Sequence, residues 1–308
     1  MKLISIITPC FNEEENVEEL HERIVQVMSK LNYDYEHILI DNASTDRTVE
    51  ILKEISAKDK HVKIIVNTRN FGQIRSPYHA LLQVTGDAVV CMAADLQDPP
   101  ERIPEFIKQW EKGYKVVVGV KTRSEETWLF YLLRTIYYRV ARRLSDVPLI
   151  ENFTGFGIYD RAVVEALREI NDPYPYFRGQ IADLGYQRAE IAFTQPRRKR
   201  GVTKNNFYTL YDIAMLGLTG YTKVPLRLAT MFGVLSAVIS FIIGLIYLIY
   251  KLIFWYQFIL GSAPLVIGLF FLGSVQLMFL GIVGEYIGAI YTQVVRRPLV
   301  IEKERINF

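Results

Sequence analysis

Residues 3–17 read LISIITPCFNEEENV. The run from Leu3 to Thr8 is mostly apolar, too short for an ordinary helix and bounded by Pro9, so it reads as a buried strand. Polar residues follow at once in Asn12 and Glu13. From Val17 the apolar positions Val17, Leu20, Ile24, Val27 and Leu31 then recur at helical spacing. A buried strand feeding an amphipathic helix is the repeating unit of a parallel sheet covered by helices on both faces.

The unit recurs downstream. His37 to Ile40 feeds a helix opened by Ser44, Thr45 and Asp46. Val62 to Val66 is a third strand, followed by a helical stretch near Pro77 to Val84. Ala88 to Met92 is a fourth, running into Asp95; a helix begins near Pro99 to Glu101 and closes before Gly113, and Tyr114 to Val120 is a fifth strand. The expected fold class is α/β, with a mostly parallel sheet. In such sheets ligands gather beyond the carboxyl ends of the strands. The candidates are therefore Asn12 and Glu13, then Asp41, Asn42 and Ser44, then Arg69 and Asn70, then Asp95, Gln97 and Asp98. Neither G-x-G-x-x-G nor G-x-x-x-x-G-K-[ST] occurs, which excludes the dinucleotide fingerprint and the P-loop. Asp95 with Gln97 offers hard oxygen ligands of the kind magnesium or manganese prefers. For Asp98 and Glu101 the competing reading is that they favour the first turn of a helix entered through Pro99 and Pro100.

Composition sets the wider limits. Half of the 308 residues are hydrophobic and 22% are charged, with a mean hydropathy of +0.14, which points to a soluble part joined to a membrane part. Thirty-six basic against 33 acidic residues leave +3, giving no reason to expect a nucleic-acid partner. Cys10 and Cys91 both sit in strand-like runs, which excludes a disulfide framework. His21, His37, His61 and His79 show no metal-ligand spacing and are expected to have no chemical role.

From Leu228 to Tyr250 no residue is charged. At 1.5 Å per residue that stretch makes a helix of roughly 34 Å, against a hydrocarbon core of about 30 Å. A second uncharged run, Pro264 to Gly284, continues past Glu285 toward Val295. Basic residues flank the pair: Arg197, Arg198, Lys199, Arg200, Lys204, Lys223 and Arg227 before it, Arg296, Arg297, Lys303 and Arg305 after it, with Lys251 alone in the connecting loop. Both ends are thus expected on the cytoplasmic side of a multi-pass inner-membrane protein. Met1 to Pro9 reads as a strand and not a signal peptide. Phe207, Leu210, Tyr211, Ala214, Met215, Leu218 and Tyr221 form a helical stripe that either lies on the bilayer or packs on the globular part. The expected partition is a globular domain at 1–205, an interfacial helix at 206–227, two spans within 228–295 (about 228–250 and 264–290), and a cytoplasmic tail at 296–308.

The segments SIITPCFNEEENV (5–17), LIDNASTDRT (39–48), RNFGQ (69–73), AADLQDPPE (93–101) and RKRGVTK (198–204), ahead of a two-helix tail, resemble the family 2 glycosyltransferases of GT-A fold. Within them the chain most resembles the branch that transfers a sugar to polyprenyl phosphate, such as dolichol-phosphate mannosyl synthases and bactoprenol glucosyltransferases. The resemblance implies a nucleotide-sugar donor, most simply a UDP-linked hexose, a polyprenyl phosphate acceptor and a lipid bilayer as partners. It implies that Pro9, Phe11 and Glu13 hold the nucleotide, that Asp41 reads its base or ribose, and that Asp95 is the metal-binding aspartate of D-x-D. Gln97 would then be a further ligand of Mg2+ or Mn2+. It also implies that Arg198 and Lys204 face phosphates near the membrane; attraction of these cations to anionic lipid is the simpler reading, and both are expected to operate.

The pattern breaks in two places. Ala93 stands where D-x-D has its first carboxylate. The stretch ENFTGFGIYDR (151–161) puts Gly155 on a family aspartate assigned as catalytic base or acceptor-side carboxylate, and Gly157 on a family arginine; Asp160 and Arg161 match the end of the stretch but more often cap a helix. An acceptor phosphate is already ionised at neutral pH and needs little deprotonation, so orientation and leaving-group stabilisation can carry the reaction. Glu151 or Asp183 are the carboxylates that a neighbouring segment offers instead, Asp183 being as readily structural. Two alternatives stay open: a non-catalytic homologue that binds nucleotide sugar or lipid carrier, and another family 2 transferase of polysaccharide assembly, although a Q-x-x-R-W motif is missing. The glycines Gly268, Gly273, Gly281, Gly284 and Gly288 suit either a homo-oligomer or packing within one hairpin.

Overall fold

The computed structural model describes residues 1–121, 147, 150, 152–196, 207–254 and 262–308. The first half alternates as its hydrophobic pattern dictates: β1 (Leu3–Cys10), α1 (Val17–Met28), β2 (Asp34–Asp41), α2 (Thr48–Lys58), β3 (Val62–Asn67), α3 (Gly72–Leu82) and β4 (Ala88–Cys91). A short 3-10 turn (Pro100–Arg102) leads into α4 (Ile103–Glu111), followed by β5 (Val116–Lys121), β6 (Phe153–Asp160), α5 (Arg161–Ile170), α6 (Phe177–Asp183) and β7 (Arg188–Phe193). The third helix starts at Gly72, ahead of the expected Pro77, because the Asn70 side-chain oxygen takes the Gly72 N–H at 2.8 Å and so opens the helix early.

Among the described residues eight strands form one sheet in the order β7-β5-β6-β4-β1-β2-β3-β8, the last being β8 (Glu302–Ile306). The central four, β4-β1-β2-β3, are parallel, whereas β6 runs antiparallel to both β4 and β5. Reversal of β6 brings its beginning, Phe153 to Gly155, to the edge where the parallel strands end. Ile38, Leu39 and Ile40 are all fully buried because successive side chains go to opposite faces, each with its own core. One core gathers Ile4, Ile6, Leu20, Ile24, Leu39 and Phe106; the other gathers Ile7, Ile38, Ile40, Tyr78, Val89 and Tyr159.

The last residues are not a free tail. Glu302–Ile306 pairs antiparallel with β3, so the chain returns to the globular domain after its second long helix. Thr68 N donates to Ile301 O at 2.9 Å, and Lys53 meets Glu304 at 2.6 Å. The Asn307 amide donates to the carbonyls of Ser56 and Val62 at 2.9 Å each. The partly exposed ion pair contributes at most about 1 kcal/mol; the larger effect is covering the otherwise open β3 edge. With four charges in five residues, this strand carries no apolar run that would announce it.

Beyond β7 come α7 (Phe207–Tyr221), α8 (Val224–Ile253) and α9 (Ser262–Val295). Within α8 and α9, Val224–Ile246 and Phe271–Val295 are long and apolar enough to cross a membrane. They expose large side chains such as Phe241, Ile246, Leu269, Phe271 and Leu277, far more apolar surface than water tolerates on a folded protein; the chain is membrane-associated. Helix α7 touches both neighbours. Tyr211 donates to Glu285 of α9 at 2.9 Å, and Tyr174 of the globular part donates to Asp212 at 2.8 Å. At its end the Tyr221 ring lies so close to Gly179 that a Cβ there would sit 2.5 Å from it.

Candidate functional site

The parallel strands β2, β1 and β4 lie side by side, and their ends bring Asp41, the loop Phe11 to Glu14, and Asp95 onto one edge. Pro9 is the penultimate residue of β1, and the chain then turns through Asn12 at φ 55°, a conformation that asparagine tolerates better than most residues. That turn is held from the neighbouring loop. Asn12 N donates to Ser44 Oγ at 2.9 Å, Thr45 N donates to Asn12 Oδ1 at 2.8 Å, and Glu13 N donates to Thr48 Oγ1 at 2.9 Å. The Glu13 carboxylate is buried and accepts from the Asn16 amide at 2.7 Å. Asp41 is fully buried and receives both the hydroxyl and the N–H of Ser44. Burial holds its carboxyl above the usual range, and the Ser44 bonds oppose that shift.

A second node joins the ends of β2 and β3. Asn42 Oδ1 accepts from Phe71 N at 2.8 Å and from the Asn67 amide at 3.2 Å, while its own amide donates to Asn70 Oδ1 at 2.9 Å and Gly72 O at 3.2 Å. Asn67 also donates to Ser76 Oγ at 2.9 Å. Asn42, buried and bonded at both ends of its amide, fixes the loop rigidly, since each lost bond would leave a desolvated group behind.

After β4 the chain folds back on itself through Leu96 at φ 60°. Gln97 N donates to Asp95 Oδ1 at 3.2 Å, and Gln97 Nε2 donates to Pro196 O at 3.2 Å. Asp98 is buried, 6% exposed, and its Oδ2 accepts from Ala93 N at 3.0 Å. It does not cap the following turn Pro100–Arg102, whose cap position is Pro99 with no side-chain bond. Burial above all raises the Asp98 carboxyl to about 7; nearby Asp95 adds to the rise, and the Ala93 N–H and Lys121 oppose it. Among the described residues no three His, Cys, Asp or Glu side chains are arranged to hold a metal ion alone. Asp95 and Gln97 nonetheless fit a hard divalent cation that takes its remaining ligands from a phosphorylated substrate.

At the same edge, the start of β6 carries two glycines. Gly155 lies at φ +107°, a Cβ built on it would come no closer than 3.9 Å to the Phe177 ring, and Tyr159 donates to Gly155 O at 2.8 Å. A Cβ at Gly157 would sit 2.3 Å from Val117 O. Asp160 accepts from Ala162 N at 3.0 Å and from Trp110 Nε1 at 2.8 Å, capping α5. Asp183 is exposed at the last position of α6, where it acts on Tyr221 rather than joining Asp95. Glu151, Arg198 and Lys204 lie outside the described residues.

The model of the family described as Glycosyl transferase family 2 matches residues 5–168, from β1 through most of α5. The chain belongs to glycosyl transferase family 2. The uncharacterized glycosyltransferase YkcC of Bacillus subtilis is 36% identical over 96% of this chain and 92% of its own length. The SfII prophage-derived bactoprenol glucosyl transferase of Shigella flexneri is 32% identical over 98% and 97%. A solved glucosyl-3-phosphoglycerate synthase from Mycobacterium tuberculosis aligns at 18% identity over 71% of this chain and 78% of that one, with a TM-score of 0.43.

As a family 2 glycosyltransferase the chain has the GT-A arrangement, with the Ala93 to Asp98 loop at the ends of the parallel strands. At the two positions where it departs from the family stretch, side chains are unwelcome: Gly155 is in left-handed backbone, and Gly157 is pressed against β5. Two features escape sequence reasoning. Of the Asn42–Asn67–Asn70–Ser76 node only Asn42 and Asn70 were visible, as polar residues after strands, and the Asp98–Ala93 bond had no sequence signal. His21, His37 and His61 also converge. His21 and His61 lie 3.7 and 2.7 Å from Asp59, and the His21 and His37 rings stack at 6.3 Å.

Proposed function

We propose that this family 2 transferase moves a sugar from a nucleotide-sugar donor, UDP-hexose in the simplest case, to polyprenyl phosphate on the cytoplasmic leaflet of the inner membrane. The observation that carries the reading is the pairing, in one chain, of an Asp95–Gln97 loop at the ends of the parallel strands with two membrane-length helices. Relatives named bactoprenol glucosyl transferase, similar over nearly the full length, support the acceptor class.

In this mechanism the Phe11 to Glu13 loop and Asp41 hold the nucleoside, and their mutual bonds through Ser44 and Thr48 keep that half-site in shape before the donor arrives. Asp95 and Gln97 would hold Mg2+ or Mn2+, which would supply charge stabilisation for the departing diphosphate. The acceptor phosphate is ionised at neutral pH, so the missing carboxylate at position 155 costs orientation and not proton transfer. Arg198 and Lys204 hold that phosphate by charge-assisted hydrogen bonds, and Asp183, exposed beside Tyr221, takes a secondary place at the acceptor side.

The test is turnover by the purified full-length protein with labelled nucleotide sugars, polyprenyl phosphate and Mg2+ or Mn2+. Lipid-linked label that disappears on chelation is the expected result. Donor binding without lipid-linked product would overturn the reading.

A further inference from the structure

Three arginines converge where the globular domain meets the end of the second membrane helix. Arg69 and Arg75 both lie on the ring of buried Phe71, their guanidinium carbons 4.0 and 5.5 Å from its centre. Arg75 also donates to the carbonyl of Pro298, which draws in the neighbouring Arg297. Arg297 follows the span Phe271–Val295 by two residues, after the chain turns through left-handed Arg296, so the cluster sits at headgroup depth.

No carboxylate among the described residues lies within 4.0 Å of any of the three. The nearby Asp172 and Asp212 are already engaged, Asp172 by Tyr174 N, Gln180 and Gln293, and Asp212 by the Tyr174 hydroxyl. Arg75 Nε is buried with no hydrogen-bond partner. Burial, Arg69 and Arg297 together hold the Arg75 pKa below its ordinary value, as expected of a cation crowded by like charges. Arg69 and Arg297 are exposed and Arg75 is half-buried, so the three guanidinium groups are open to an anion, which would relieve their mutual repulsion.

We propose that Arg69, Arg75 and Arg297 form a binding site for the phosphate headgroup of an anionic bilayer phospholipid. The site is separate from the donor edge. Arg69 follows β3, and Asp95 follows β4, three strands away in the order β4-β1-β2-β3, which is roughly 14 Å at the usual strand spacing. A phosphate held there is out of reach of the reacting sugar, whereas a bilayer phospholipid is at the right depth. Its function is to fix the height and tilt of the catalytic domain over the membrane.

The experiment uses purified full-length protein in detergent, titrated with dioleoylphosphatidylglycerol or dioleoylphosphatidylcholine and read by native mass spectrometry. Parallel titrations use UDP and polyprenyl phosphate. The parent is expected to prefer the anionic lipid. Arg297→Gln is expected to weaken that binding at least about tenfold, with UDP and polyprenyl phosphate binding and the melting temperature unchanged. Arg75 is left intact because its bond to Pro298 anchors the returning chain, Arg69 because it lies next to the asparagine node, and Lys108→Gln on α4 is the charge-matched control. Phosphatidylglycerol binding unaltered in Arg297→Gln overturns the proposal, as does a loss confined to UDP or polyprenyl phosphate.

Discussion

The ends of β1 to β3 and the start of β6 lie along one edge of the sheet and are built in opposite ways. On the first side the loops are tied to one another by side-chain bonds, Asn12 to Thr45, Glu13 to Thr48, Asn42 to Asn70. On the second, Gly155 and Gly157 contribute no side chain at all. The first side is tied together before any ligand binds and is the donor side of the proposed reaction; the bare second side is the proposed place of the acceptor.

Acid is the largest lever on this contrast, because all four histidines precede β4. His37 is fully buried, and burial depresses its pKa to about 3, with nearby His21 adding to the effect. The unfolded chain binds a proton near pH 6.5 and the folded one does not, so this contribution is fully present above pH 6.5 and lost as pH falls toward 3. The expected loss is roughly 4 kcal/mol by pH 3.5. Hydrogen exchange should show β2 opening before β6; simultaneous opening would erase the distinction between the two sides.

If Asp95 holds the metal as proposed, Asp95→Asn should lower turnover by about 100-fold or more while the melting temperature holds, because the charge facing the metal and diphosphate is removed. Activity equal to the parent would remove the donor side's claim to the chemistry. Gly157→Ala tests the other side. With a Cβ 2.3 Å from Val117 O, it should cost at least about 2 kcal/mol in denaturant melts, and an unchanged midpoint would mean that the bareness of β6 is not imposed by packing. Asn42→Ala should cost about 1–3 kcal/mol by leaving Phe71 N and the Asn67 amide short of an acceptor. It should also raise KM for the donor more than it lowers kcat; the opposite split would show that the asparagine node does not shape the nucleotide half-site.

The parallel half was legible because runs such as Leu3 to Thr8 and Val62 to Val66 can only be strands buried on both faces. So was the edge that they create, since chain direction alone puts Asp41 and Asp95 there. The antiparallel β6 was less so: FTGFGIYD contains two glycines, and its pairing with β4 and β5 is set by contacts distant in sequence. EKERI carried no signal, because its pairing surface is backbone and not apolar side chain. Asp98 read equally well as a first-turn helix residue and a site residue. Its burial follows from how the Leu96 turn closes on Ala93, a three-dimensional fact. The arginine cluster joins residues 69, 75 and 297, and no local pattern links them.

The strand that completes the β3 edge, Glu302–Ile306, is translated after both long apolar helices. A nascent domain emerging from the ribosome therefore presents an unpaired sheet border until those helices have been made. Maturation of the globular body is thus ordered behind their synthesis: a copy that stops short of Glu302 keeps a tacky border, and one that runs through it seals that border itself.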